Sequence, residues 1–369
     1  MKFFSDSRNH VDKTLLYTAL FLLTGGILIL SSASMVLSQK NFDNAAYHTI
    51  RQFLLGGLFG VFLMYICSRI NYRFWKKTAI LWVLFSFALL AALFLPGVGL
   101  SFGGATRWIS LGFFSFQPSE ILKLAFIIYL ASWLDARRQQ VRSVSYGLMP
   151  FSIMIGVVGV FLVMQPDFGT LGIIILTSGA IYLLGGGKLS QIFTLTFLVL
   201  ALVILLIQIS PYRLARVNVF LNPELDPQGA GYHVNQASIA IGSGGFLGLG
   251  FGKSLQKYNY LPEPMGDSIF AIFAEEMGFL GTLILLGIFS FLFWRGFYIA
   301  KRAPDAFASL LAGGISIGIA VQVVINIAAI SGLLPLTGVP LPFVSYGGTS
   351  LAITLASIGI LLNISRHTD

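Results

Sequence analysis

The stretch Leu261-Pro262-Glu263-Pro264-Met265-Gly266-Asp267-Ser268-Ile269-Phe270 marks the point where a long polar segment hands over to an apolar one. From Asp267 to Trp294 the chain runs for 28 residues with Glu275 and Glu276 as its only further charges. As a continuous helix this run is roughly 42 Å long, against a bilayer hydrocarbon core of ~30 Å. With Arg295 fixing the inner end, the two glutamates reach the outer edge of the hydrocarbon and Asp267 stands at headgroup height. Upstream, Ser210 to Gly266 is the one long water-facing segment. Chemistry on a lipid-linked polar headgroup therefore has room here, and Asp267 is the first candidate to carry it. The same residue also suits a plain helix N-cap, since Asp and Ser are favoured there.

Working outward, the 369 residues are 56% hydrophobic and only 10% charged, with 40 glycines and 33 phenylalanines. Such a composition excludes an ordinary soluble enzyme and predicts a polytopic membrane protein. Ten apolar runs are long enough to cross a bilayer, at 14–36, 53–68, 78–96, 118–134, 147–164, 170–186, 189–209, 268–294, 308–332 and 346–364. The predicted fold is all-α, with ten transmembrane helices, both termini on one side, and the large loop of about 210–266 between helices 7 and 8. The polar amino terminus precedes an apolar run too long for a cleavable signal, so the first span is expected to stay as an anchor. No repeat, low-complexity tract or linker divides the chain, which predicts one integral domain over 1–369.

Lysine and arginine set the orientation. Arg69, Arg73, Lys76 and Lys77 fall in one loop, Arg137, Arg138 and Arg142 in another, then Lys188, then Arg295, Lys301 and Arg302, with Lys2, Arg8, Lys13 and Arg366 at the ends. The other face holds Lys40, Arg51, Arg107, Arg213, Arg216, Lys253 and Lys257, and Lys123 lies within a span. The bias places the insert outside the cell. The net charge of +9 thus follows from topology and is no nucleic-acid surface. The single cysteine, Cys67, excludes an intrachain disulfide.

Polar residues inside a membrane are costly and mark sites. Span four opens Gln117-Pro118-Ser119-Glu120-Ile121-Leu122-Lys123, with Pro suited to a first turn and Glu120 and Lys123 on one helix face. They form either a neutralised packing pair or the lining of a functional cavity, or both. In Gln165-Pro166-Asp167-Phe168-Gly169-Thr170, Asp167 either caps span six or supplies a second outer carboxylate. Arg213, Arg216, Lys253 and Lys257 in the insert, with Arg107 in another outer loop, form a cationic set suited to phosphate or pyrophosphate, although for each one taken singly an ordinary surface charge, in some cases at outer-leaflet lipid headgroups, is the stronger reading. The glycines from Gly242 to Gly252 lack the strand–loop–helix context of a nucleotide loop and suit close backbone packing or re-entrant turns. The uncharged loop Pro335–Ser350 reads as a rigid, partly embedded plug.

Several of these motifs together resemble the SEDS family, whose members include FtsW, RodA and SpoVE. They are Arg107-Trp108-Ile109, Phe116-Gln117-Pro118-Ser119-Glu120, Gln165 to Thr170, Leu221-Asn222-Pro223 with Gly231-Tyr232, Leu261-Pro262-Glu263 before Asp267, Glu275-Glu276-Met277-Gly278, and Pro342-Phe343-Val344-Ser345-Tyr346-Gly347-Gly348. The segment Gly252 to Glu263 resembles the FtsW branch more than RodA.

The resemblance implies a peptidoglycan glycosyltransferase that polymerises lipid II on the outer face of the bacterial cytoplasmic membrane, both termini cytoplasmic. Its implied partners are a class B penicillin-binding protein of the FtsI type, lipid II, membrane lipids and other divisome or elongasome proteins. The family's essential acid maps onto Asp267. Where the family carries His-Thr-Asp-Phe-Ile-Phe, this chain has Met265-Gly266-Asp267-Ser268-Ile269-Phe270, which removes the local histidine. Asp267 is then the expected catalytic base. Arg107, Trp108, Glu120, Lys123, Asp167, Arg213, Arg216, Lys257, Glu263 and Ser345 are expected at the substrate, and a divalent cation such as Mg2+ or Mn2+ is the one cofactor left open. A lipid II transporter and a non-catalytic scaffold for the penicillin-binding protein are the competing readings.

Overall fold

The computed structural model describes residues 11–102, 105–110, 112, 114–209, 220 and 230–368. Helices occupy all ten apolar runs. They are α1 (Lys13–Phe42), α2 (Tyr47–Arg69, with a π-helical turn at Phe53–Leu58), α3 (Tyr72–Ala92), α4 (Pro118–Ala136), α5 (Val144–Met164), α6 (Phe168–Leu184) and α7 (Leu189–Ile209) before the insert. After it come α9 (Ile269–Lys301), α10 (Ala306–Ile330) and α11 (Gly348–Ser365), while α8 (Ala230–Ser243) lies within the insert itself. Among the described residues, seven of these helices are long and apolar enough to cross a membrane, and the chain is a multi-pass membrane protein.

Two helices form the centre. Of the apolar window of α11, 83% is buried, and of α10, 67%, whereas for the other long helices the share is 22% to 39%. The outer helices present Phe21, Phe62, Leu81 and Phe193 outward, as a lipid-facing surface requires. Helix α11 lies closely along α2 through small residues. A Cβ on Gly60 would press into Leu355 and Ala352, and one on Gly359 would strike the carbonyl of Met64. Such small-residue faces replace the hydrophobic drive that lipid removes.

The helix ends show which loops share a side. At one end Asp12 caps α1 through Leu15 N (2.9 Å) and pairs with Arg295 (2.7 Å). There also the Tyr72 hydroxyl donates to Asp305 (2.7 Å), itself the N-cap of α10. At the other end the 93–117 connection, the 165–167 turn, the second half of the insert and the 331–347 loop gather. A small antiparallel sheet lies in the first of these, β1 (Gly99–Phe102), β2 (Ala105–Ser110) and β3 (Ser115–Phe116), ordered β1-β2-β3 with Gly99 opposite Ile109 and Ile109 opposite Phe116. These strands were not expected from the sequence.

The expected continuous helix after Asp267 is corrected. Helix α9 breaks at Gly278, whose φ of 65° and ψ of −167° no residue with a side chain adopts without strain. A break inside lipid frees backbone groups that must be paired within the protein. The glycine-rich loop does this. Leu249 N donates to Glu275 O (3.0 Å) and Gly250 N to Glu276 O (2.9 Å), while Phe279 N donates to Gly245 O (2.9 Å) and Leu280 N to Phe246 O (3.1 Å). The loop comes close enough only because Gly244 and Gly248 have no side chain, as a Cβ on either would collide with the carbonyls of Ala274 and Glu276.

Candidate active site

Asp267 is half-buried at the end of a turn that leads into α9, and its backbone is fixed from three directions. Asn326 of α10 donates to Asp267 O (2.9 Å) and to Val339 O (2.8 Å), tying the turn to the last outer loop. Ser345 donates to Gly266 O (2.7 Å) while accepting from Leu341 N (2.8 Å). Tyr346 N donates to Met265 O (2.8 Å). The plug-like loop is thus a cradle for the acid, because its Pro-rich backbone leaves carbonyls and amides available to neighbours.

Below the cradle a polar chain enters the bundle. Gln322 donates to Pro340 O (2.9 Å) and accepts from Lys123 Nζ (2.7 Å), which pairs with Glu120 at 2.8 Å. Glu120 and Lys123 are therefore both a neutralised pair and part of a lining. They border a cavity of about 50 Å³ that Thr177, Ser178 and Thr354 also line. A space of that size accommodates a few waters, and the Thr177 hydroxyl, buried without a protein partner, has use for one.

Two carboxylates face the outer end. Glu263 has a raised pKa, first because its carboxyl is desolvated, then because Asp267 lies near it, with His233 opposing. Its backbone sits at φ 48° and its carbonyl accepts from Gly266 N (2.9 Å), so the turn folds it back toward the acid. An imidazole also reaches this segment. His233 of α8 places Nε2 2.5 Å from Ser268 Oγ, which lies 3.3 Å from Asp267 Oδ1. Sequence reasoning missed His233. Of the chain's four histidines it is the one inside the insert, and that was the signal available. Among the described residues no group of three or more His, Cys, Asp or Glu side chains draws together to hold a metal ion.

Other expected residues are placed differently. Lys257 is corrected: it is fully buried, donating to Glu276 Oε1 (3.0 Å), Gly252 O (2.6 Å) and Ser32 Oγ (3.1 Å), and so is unavailable to a pyrophosphate. Its partner's neighbour, Glu275, gathers Leu255 N (3.0 Å), Gln256 N (3.4 Å) and the Ser254 hydroxyl, so the two glutamates hold the insert to the membrane helix. Asp167 takes the capping role, one of the two readings open for it. It is a buried cap that accepts from Thr170 N (3.3 Å), Ser119 Oγ (3.1 Å) and Gln117 Nε2 (3.4 Å), which joins the start of α6 to the start of α4. Ser345 is buried and braces the acid's turn through backbone. Arg107 donates to Gln165 O (3.3 Å) and Pro166 O, bracing the turn before Asp167. Trp108 stands half-buried on β2 opposite Leu100. Arg213 and Arg216, with Leu221-Asn222-Pro223, lie outside the described residues.

The chain resembles known proteins over nearly its whole length. It is 40% identical over 357 residues to stage V sporulation protein E of Bacillus subtilis, covering 97% of each chain. It is 39% identical over 363 residues to a probable peptidoglycan glycosyltransferase FtsW of Trichlorobacter lovleyi, covering 96% of this chain and 93% of that one. Among solved structures, a chain of a peptidoglycan synthase complex, described as coordinating polymerization and crosslinking, superposes with a TM-score of 0.80 at 26% identity over 96% of this chain and 98% of that one. The rod shape determining protein RodA of Thermus thermophilus superposes with a TM-score of 0.69 at 26% identity over 97% and 98%. The profile of the FtsW, RodA and SpoVE family, described as cell cycle protein, matches residues 13–369, and the chain belongs to that family.

Proposed function

We propose that the chain is a peptidoglycan glycosyltransferase that polymerises lipid II, with Asp267 as the general base. The observation that carries this is the half-exposed Asp267 carboxylate, mounted on a turn whose backbone is hydrogen-bonded to Asn326, Ser345 and Tyr346. A base needs its carboxylate held still within reach of the proton it takes. Asp267 removes the proton of the acceptor's sugar 4-hydroxyl as that oxygen attacks the anomeric carbon of the donor. The bond from that carbon to the undecaprenyl pyrophosphate breaks, with inversion, and the pyrophosphate leaves with the electron pair. Glu263, whose pKa is raised by desolvation and by the nearness of Asp267, stands beside the base where it can meet the substrate. Arg213 and Arg216 offset the charge of the leaving group.

The site faces the outside of the bacterial cytoplasmic membrane, as the lysine and arginine distribution supports. The likeness to a chain of a peptidoglycan synthase complex supports a class B penicillin-binding protein as partner. The transporter reading gains no support from Glu120 and Lys123, which pair with each other (2.8 Å) and, through Lys123 Nζ, with Gln322 (2.7 Å). Incubating the purified chain and its penicillin-binding partner with lipid II, with glycan strands separated on a gel, tests the reading. Strands made when the partner's own transpeptidase is blocked support it. Transbilayer movement of lipid II in vesicles without any strand formation contradicts it.

A further inference from the structure

Ser268 occupies the N-cap position of α9, yet its hydroxyl does not cap the helix. Its side chain is fully buried and turned back, with Oγ 2.5 Å from His233 Nε2, 2.9 Å from Pro262 O and 3.3 Å from Asp267 Oδ1. A hydroxyl has one proton to give. Of these three neighbours, the Pro262 carbonyl and an ionised Asp267 can only accept, whereas an imidazole nitrogen can either give or take. His233 therefore decides where the Ser268 proton goes. With hydrogen on Nε2, the imidazole fills a lone pair of Oγ and directs the serine proton to the Pro262 and Asp267 side. With Nε2 bare, the serine proton turns to the imidazole and Asp267 loses that hydrogen bond. His233 belongs to α8, 35 positions from Ser268 in sequence, so it also pins the insert helix against the acid's turn.

We propose that His233 is a positioning residue for Asp267, acting through Ser268: it donates from Nε2 to Ser268 Oγ and so holds the serine proton, and with it the Asp267 carboxylate, in the geometry from which the base works. This rests on the reading of Asp267 as the base.

The test uses the full chain in complex with its penicillin-binding partner, with initial rates of strand formation measured over a range of lipid II concentrations and thermal unfolding followed in parallel. His233→Phe and Ser268→Ala should each lower kcat about tenfold, the order expected for one lost hydrogen bond to a charged group, with KM unchanged. The double variant should be no slower than either single, because the two side chains act as one unit. His233→Gln, whose amide nitrogen can donate in place of Nε2, should restore kcat to within about twofold of wild type.

A wild-type kcat in either His233→Phe or Ser268→Ala overturns the proposal. So does a His233→Gln as slow as His233→Phe, or a loss confined to KM or to the unfolding temperature, since each assigns His233 a merely structural part. If His233→Phe does not fold, His233→Gln beside Ser268→Ala decides alone, a fast glutamine variant with a slow alanine variant supporting the proposal. Asp267→Asn separates the two layers. An active Asp267→Asn protein removes the underlying reading, whereas an inactive one beside a fully active His233→Phe removes only the role of His233.

Discussion

Lys257 Nζ lies 3.0 Å from Glu276 Oε1, with the lysine side chain 0% and the glutamate 3% exposed. The pair joins the outer insert to a membrane helix, and Ser32 of α1 completes it by donating to the same carboxylate oxygen (2.6 Å). Removing one partner of a buried pair leaves an uncompensated charge, at a cost of about 3–5 kcal/mol. Lys257→Met should lower the unfolding temperature in detergent, and Lys257→Met with Glu276→Gln should recover much of the loss. A single variant as stable as wild type would show that the pair does not hold the insert.

The mended break in α9 gives a second expectation. Gly248→Ala adds a methyl where φ is 80° and the Glu276 carbonyl is in the way, so the bonds from Leu249 and Gly250 must lengthen. Gly242→Ala adds one where nothing lies within 4 Å, inside α8. Alanine is favoured over glycine in a helix by about 1 kcal/mol. Limited proteolysis should therefore cut the Gly248 variant faster than wild type and the Gly242 variant no faster. Equal protection of all three would mean that the glycine loop does not close the break.

Glu263 carries a pH dependence whose sign follows from its raised pKa. The folded chain keeps this proton at pH values where the unfolded chain has lost it, so stability falls as pH rises from the ordinary carboxylate value through the folded one. Glu263→Gln cannot ionise. Its unfolding temperature should gain on wild type as pH rises from about 4 to 7, the two converging at the acid end. Asp267→Asn should shrink that gain, since it removes the second cause of the shift. Parallel curves for wild type and Glu263→Gln would contradict both.

Asn326 donates one hydrogen bond each to Asp267 O and Val339 O from inside the bundle. Asn326→Ala leaves both carbonyls without that donor, at roughly 1–3 kcal/mol for a buried group. Strand formation should fall about tenfold or more while membrane insertion, read by glycosylation or cysteine-labelling tags in the loops, is unchanged. Full activity would mean that the acid's turn does not need this tie.

The ten helices and the segment that carries Asp267 were legible in the sequence for physical reasons. A helix in lipid demands an unbroken apolar run, and a polar insert between such runs stands out at once. The Asp167 cap and the Glu120–Lys123 pair were legible because their contacts are local, three residues apart. Long-range pairings were not. Lys257 reads as one more outer cation until Glu276 and Ser32 are seen around it, and Gly278 reads as an ordinary membrane-helix glycine until the loop at Gly245 is seen to occupy its break. His233 reaches Ser268 only because α8 folds back over the turn. The strands at 99–116 were too short to show alternation against the surrounding loop.

The central claim, that Asp267 is the base of a polymerising glycosyltransferase, is tested most directly by one comparison. Wild-type and Asp267→Asn proteins, each purified with the penicillin-binding partner and shown to unfold at the same temperature, are given lipid II and their glycan strands are resolved on a gel. Strands are expected from the wild type and none above background from the variant. Strands of equal yield from both would contradict the assignment of Asp267.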